Sequence, residues 1–401
     1  MKARQLRRLG GFPPCAPAAG AATRAAADAA LRAATERRVI PGVVALAVDR
    51  GGVIYAGAAG VADSHSRRAM QADVIFRIAS MTKAVTGVAL MQLVEAGKVS
   101  LDDLAAKHLP EFGRVQKLVG WDPVAKTFRL EPPRTPITLR HLATHTAGFG
   151  YGFTSAALRD FKPRDGDAPG LPPLLFEPGT DWLYGTNIDH LGRIVERLSG
   201  LTLEDYFQQR IFRPLGMVDT SYILPEPKRH RLAALHRRGW DGTIVQPPQD
   251  PSQPATRFNG GGGLYSTAAD YGRFLRMLLN GGALDGARIL SPATVAEMGR
   301  NHIGALGVRA LKSAQHDRSG DFTFVADGRD KWGVSFQITA DAVPGKRASG
   351  SLSWGGINNT YFWLDPRRGV AGVILMQFLP FADPQALALY DAFERAVYAG
   401  T

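Results

Sequence analysis

The sequence predicts an α+β fold: a central antiparallel sheet built from both ends of the chain, flanked by helices, with a mostly helical segment inserted between them. Three observations carry this expectation. Strand signals occur near residues 43–56 and return only after residue 334, whereas residues 100–249 show helix signals and few β-branched alternations. The late strand candidates are separated by short Gly, Asn and Asp-Pro turns, which suits an antiparallel meander. Finally, 401 residues with 45% hydrophobic and 21% charged content describe an ordinary globular chain, long enough for a large core.

In chain order, residues 1–20 begin with Lys2, Arg4, Arg7 and Arg8 and then run into Gly10-Gly11-Phe12-Pro13-Pro14. That run interrupts the apolar core a signal peptide needs, so a disordered arm and a cytoplasmic location are expected. Residues 21–38 are alanine-rich and helical by propensity, and Pro41-Gly42 ends them. Val43 to Val48 and Val53 to Ala56 flank Asp49-Arg50-Gly51-Gly52, the pattern of a β-hairpin. An apolar helix then follows Ser80 and stops at Gly97, a C-terminal glycine. A short helix before Pro110, one from Asn187 to Leu198 with Gly200 behind it, and one from Leu203 to Phe212 are expected in the middle of the chain. Thr267 caps a helix reaching Leu279. Val334 to Ile338, Ser349 to Trp354, Thr360 to Leu364 and Val370 to Gln377 are the late strands, and Pro384 to Tyr398 is a closing helix. One catalytic domain over 21–401 is expected, its α/β part at about 21–99 and 250–401 and its helical part at about 100–249.

Several function classes are disfavoured. The net charge of +12 is spread over scattered arginines, with no basic helix interleaved with aromatics, so a nucleic-acid partner is not expected. No stretch approaches 18 consecutive apolar residues, so neither is a membrane span. The single cysteine, Cys15, cannot form an internal disulfide. His141 and His145 have a metal-like spacing but no glutamate between them and no evident third ligand; they read as structural histidines, and neither metal nor cofactor is expected. Gly-x-Ser-x-Gly, P-loop and dinucleotide fingerprints are all missing from the sequence.

What remains is Ser80-Met81-Thr82-Lys83. On a helix, residues three apart share a face. A neutral lysine amine there can take the serine proton and leave an alkoxide able to attack a carbonyl. The motif is short enough to arise by chance, so its partners decide. Trp182-Leu183-Tyr184-Gly185-Thr186-Asn187 offers a tyrosine just ahead of a helix as proton shuttle, though a core tyrosine has the same local sequence. Ser349 to Ile357, containing Trp354-Gly355-Gly356, offers a strand whose glycines admit a substrate backbone and whose N–H could face that of Ser80 across an oxyanion; a simple bulge is the alternative.

Taken together, these segments resemble the serine β-lactamase and penicillin-binding-protein superfamily, and within it the class C β-lactamase-like esterases (family VIII carboxylesterases). The resemblance runs from about Leu31 to Tyr398. It rests on the order of Phe76 to Lys83, Leu142-Ala143-Thr144-His145-Thr146-Ala147-Gly148, Pro178-Gly179 ahead of Tyr184, Pro214-Leu215-Gly216-Met217, Gly261 to Thr267 and Trp354-Gly355-Gly356. It implies a β-lactamase/transpeptidase-like fold and an acyl-enzyme intermediate. It also implies Ser80 as nucleophile, Lys83 and Tyr184 as the base and acid pair, and the backbone N–H groups of Ser80 and Ile357 as the oxyanion hole. Two departures matter. β-Lactamases and DD-peptidases usually place Lys-Thr-Gly or His-Thr-Gly where this chain has Trp354-Gly355-Gly356. They also usually carry Tyr-x-Asn, whereas here Thr186 follows Tyr184 by two places and Asn187 by three. An aromatic wall suits neutral, partly apolar esters. The expectation is therefore a serine carboxylesterase acting on small short-chain esters. The alternatives are a β-lactamase or DD-peptidase, an acyltransferase, and a β-lactam-binding protein that acylates without turnover.

Overall fold

The structure, a computed structural model, describes residues 21–163, 171–249, 257–322 and 328–400. The expected N-terminal arm lies outside these residues. Helix α1 (Ala21–Glu36) leads into strands β1 (Gly42–Asp49), β2 (Val53–Asp63) and β3 (Arg68–Ala69). Then come α2 (Thr82–Glu95), α3 (Leu139–Ala143), α4 (Asn187–Ser199) and α5 (Ala268–Leu279). Strands β4 (Lys331–Trp332), β5 (Gln337–Ile338), β6 (Leu352–Gly356), β7 (Thr360–Asp365) and β8 (Val370–Leu375) and helix α6 (Pro384–Tyr398) complete the frame.

Among the described residues the main sheet has eight strands in the order β4-β5-β6-β7-β8-β1-β2-β3, all paired antiparallel. The β8–β1 pairing joins the two ends of the chain, with Leu46 opposite Val373 and Ala47 opposite Gly372. Side chains alternate across a strand, and both faces of this sheet are covered. Leu46, Val373 and Phe362 fall on one face, where the Phe362 ring lies 5.3 Å from that of Tyr271 on α5. Ala47, Gly372, Trp363 and Tyr55 fall on the other, where α1 and α6 lie: Trp363 and Tyr55 both pack on Phe393, and Tyr55 donates a hydrogen bond to Asp28 at 2.8 Å. Double coverage explains why Val43 to Val48 and Val370 to Leu375 read as unbroken apolar runs and not as alternations.

Two glycines are fixed by close packing. A Cβ on Gly372 would sit 2.1 Å from the Trp363 indole, and one on Gly272 would sit 2.3 Å from Leu46. Arg347, beside the sheet, donates to both Glu394 oxygens of α6 (2.7 and 2.8 Å) and to the Tyr390 hydroxyl (2.6 Å), a buried ion pair with its polar atoms satisfied.

The inserted segment is not purely helical. Lys117–Asp122 pairs antiparallel with Thr127–Glu131. In the second of these strands half-buried Phe128 and Leu130 alternate with exposed Thr127, Arg129 and Glu131. Helix Leu203–Phe207 also passes through a widened turn, Gln208–Phe212, so the single helix expected there is two elements.

Candidate active site

Ser80 sits in a short 3-10 turn, Ala79–Met81, that precedes α2, so the nucleophile candidate is just outside the helix that carries Lys83. The turn is held from several sides. Ile78 donates its N–H to Leu264 O at 3.0 Å, Tyr271 donates its hydroxyl to Met81 O at 3.1 Å, and Thr360 donates to Ile78 O at 3.4 Å. Ala79 has φ of +46°, an uncommon region for a residue with a Cβ. Such backbone strain persists only where surrounding contacts enforce it.

Strand β6 ends against this turn. A Cβ on Gly356 would lie 2.3 Å from Ile78 O, and one on Gly355 would lie 2.7 Å from the Tyr361 ring. Gly356 is therefore required by the approach of the strand to the Ser80 turn, and Gly355 by the neighbouring strand β7. Ile357 follows directly, and Ser80, Gly355 and Ile357 border one cavity of about 560 Å³.

Lys83 is fully buried, and its Nζ donates to three acceptors: Ser80 Oγ at 3.2 Å, Tyr151 OH at 3.1 Å and Gly261 O at 2.6 Å. Tyr184, the tyrosine expected to partner the lysine, meets it through its ring. Among the described residues no hydrogen bond links its hydroxyl to Lys83; the amine lies over its ring, 4.9 Å from the centroid. The ring also packs on Trp354 at 4.7 Å and on Tyr151 at 5.4 Å. Tyr151 was not anticipated. Its sequence signal is an aromatic flanked by glycines, Gly150-Tyr151-Gly152, directly behind the His145 segment. Desolvation, with the Asp189 carboxylate and Tyr184 adding to it, holds the Tyr151 phenol well above its ordinary value, which keeps it protonated at neutral pH.

The two histidines have separate structural tasks. His141 Nδ1 accepts from the Thr138 N–H at 3.2 Å, completing the cap of α3. His145 Nδ1 accepts from Gly185 N at 3.3 Å and from Asn187 Nδ2 at 2.9 Å, which fixes the loop carrying Tyr184. Burial, and then the Lys83 charge, push its imidazole well below the usual histidine range, so the ring is neutral.

The cavity has two unlike sides. Phe322, Trp354 and Phe381 make an aromatic wall, with Trp354 also 4.7 Å from Trp332. Thr186, at the N-cap of α4, and Asp189 and His190, in its first turn, also line the cavity. At the rim, Arg318 lies over Phe153 and Arg159 pairs with Asp160.

Comparison with known proteins accords with this geometry. Residues 27–396 match the protein family described as Beta-lactamase. The chain belongs to the β-lactamase family. Its relatives in that family include acyltransferase calJ of Penicillium decumbens, 36% identical over 355 residues that cover 82% of each chain. Lovastatin esterase of Penicillium rubens is 31% identical, covering 92% of this chain and 97% of its own. Among solved structures, a LovD6 mutant of simvastatin synthase from Aspergillus terreus superposes with a TM-score of 0.79 at 30% identity, covering 94% of this chain and 95% of that one. The β-lactamase-like fold expected from the sequence is thus the one observed, within a superfamily of serine hydrolases and acyltransferases.

Proposed function

We propose that the chain is a serine acyl-transfer enzyme whose basic reaction is hydrolysis of small, partly apolar esters through an acyl-Ser80 intermediate. The observation that carries this is the Ser80–Lys83 contact at 3.2 Å, at the floor of a cavity walled by Trp354 and Phe322. In the first half-reaction Lys83 acts as the unprotonated amine: Ser80 Oγ bonds to the ester carbonyl carbon while its proton passes to the lone pair of Lys83 Nζ. The backbone N–H groups of Ser80 and Ile357 receive the developing oxyanion. The C–O ester bond then breaks, and the alcohol departs with a proton returned through the Lys83, Tyr151 and Tyr184 cluster. In the second half-reaction water repeats the sequence and frees the acid. Tyr151, in direct contact with the Lys83 amine, orients it; Tyr184 covers it from above and faces the bound ester. Gly261 O accepts from the amine at 2.6 Å and holds it in place.

Transfer of the acyl group to an alcohol instead of water is the second reading. It is favoured by the names of the relatives calJ acyltransferase and monacolin J acid methylbutanoyltransferase of Aspergillus terreus, the latter 31% identical over 93% of this chain. The same acyl-Ser80 serves both outcomes, and only the second acceptor differs. Turnover of p-nitrophenyl butyrate with and without added short alcohols separates them: hydrolysis predicts butyrate as the main product throughout, whereas transfer predicts that the new ester dominates as alcohol is added. Nitrocefin turnover exceeding that of p-nitrophenyl butyrate would overturn both in favour of a β-lactamase, which Trp354 disfavours.

A further inference from the structure

The part of the cavity lining formed by the start of α4 carries polar atoms that the acyl-transfer chemistry does not use. Thr186, Asp189 and His190 stand three and four places apart at the start of α4, so one helical face presents all three to the cavity. Asp189 Oδ1 accepts from the Gly261 N–H at 3.1 Å, and Gly261 O in turn holds Lys83. Asp189 Oδ2 is buried and accepts no hydrogen bond from any described residue. The same holds for Thr186 Oγ1 and for both ring nitrogens of His190, a side chain only 5% exposed. The ring of His190 is placed by Phe112 and Phe149, 5.1 and 5.0 Å away, and not by polar contacts. Buried polar groups in folded proteins are ordinarily paired. Several unpaired ones on one wall of an active-site cavity point to a ligand that pairs them.

We infer that this wall is a subsite for a hydroxyl group of the substrate, which donates to Asp189 Oδ2 and accepts from His190 or Thr186. The inference deepens the acyl-transfer reading and rests on it: it makes the preferred esters hydroxylated ones. A hydroxyl suits the set because it is donor and acceptor at once. An ammonium suits it poorly, since it only donates and would leave the His190 donor without an acceptor. A purely apolar substrate would bury Asp189 Oδ2 unpaired.

The hydroxyl can belong to the acyl or the alcohol half of the ester, and two substrate pairs distinguish these sources. Binding is measured on the Ser80→Ala protein, which removes the chemistry. The pairs are p-nitrophenyl 3-hydroxybutyrate against p-nitrophenyl butyrate, and 2-hydroxyethyl butyrate against ethyl butyrate. A hydrogen bond to a charged partner supports a preference of about tenfold or more in Kd for the hydroxylated member of at least one pair. Asp189→Asn on the same background keeps an acceptor for the Gly261 N–H but turns the free oxygen into a donor; the preference then falls to near unity. Ratios near unity in both pairs overturn the inference, since water then serves these groups. So does a preference that survives Asp189→Asn, or tighter binding of the 4-aminobutyrate ester than of its hydroxyl counterpart. Should Asp189→Asn not fold, the two ratios on Ser80→Ala alone decide. Failure of the acyl-transfer reading shows separately, as no acyl adduct on the unsubstituted protein while the binding preference persists.

Discussion

Gly356→Ala tests how the end of β6 sets the geometry at Ser80. The added Cβ would lie 2.3 Å from Ile78 O and 2.4 Å from Thr360 Oγ1. The threonine hydroxyl can rotate away, but the Ile78 carbonyl is main chain and already accepts from Met81 N at 3.1 Å. To reach even 3.0 Å, the shortest separation real Cβ atoms tolerate, strand and turn must part by 0.7 Å (3.0 less 2.3). That displacement falls between Ser80 and Ile357, the two proposed oxyanion donors. A misplacement of about 1 Å in an active site costs on the order of 100-fold in rate, or about 2.7 kcal/mol of barrier. The assay is kcat/KM for p-nitrophenyl butyrate, with far-UV circular dichroism and a thermal melt to establish that the variant is folded. The expected result is a folded protein with kcat reduced about 100-fold and KM changed much less. A folded variant with kcat within about threefold of the parent would refute the claim that this contact sets the oxyanion geometry.

Tyr151→Phe removes the hydroxyl 3.1 Å from Lys83 and should lower kcat for the same ester more than Tyr184→Phe does, because only Tyr151 bonds the amine; steady-state kinetics of the two variants side by side decide this, and the reverse order would restore Tyr184 as the lysine's partner. Glu394→Gln leaves the Arg347 guanidinium in the core without its countercharge, and breaking a buried pair in this way should cost about 3–5 kcal/mol in urea unfolding, with no direct effect on the site. Stability should also fall on the acid side. Burial, then the Arg193 charge, lower His190 to about 3, below the ordinary histidine value of 6.5, so the neutral ring favours the fold above pH 6.5 and that contribution is lost as the pH drops toward 3. The slope from this group is up to about 1.4 kcal/mol per pH unit, and urea titrations of His190→Gln should lack that component between pH 6 and pH 4 on the order expected from linkage.

Much of the frame was legible because double burial and turn chemistry leave marks in the chain. Val43 to Val48 and Val370 to Leu375 read as strands since both their faces are covered, and Thr267, Gly200 and Gly97 mark helix ends by their caps. The closing helix Pro384–Tyr398 was bounded by Asp383 and its first-turn proline. What escaped is what only tertiary packing decides. Lys117–Asp122 and Thr127–Glu131 form a half-exposed hairpin inside the segment expected to be mostly helical; Phe128 and Leu130 do alternate with polar residues there, but over a strand of only 5 residues. Ser80 and Lys83 were found by spacing, but the lysine's third dimension was not: Tyr151 reaches it from 68 residues away and Gly261 from 178. Tyr184 was singled out from its position ahead of a helix, and the structure does bring it to Lys83, though through its ring face. Trp354 stands against Tyr184 as an aromatic wall, and Ile357 borders the same cavity as Ser80.

The account depends most on covalent chemistry at Ser80, and intact-mass spectrometry after rapid mixing with p-nitrophenyl butyrate tests that directly. The account predicts a transient species heavier by one butyryl group in the parent protein, localised by digestion to the peptide containing Ser80, decaying as butyrate appears, and absent from Ser80→Ala together with ester turnover. Undiminished turnover by Ser80→Ala, or an adduct on another residue, would contradict it.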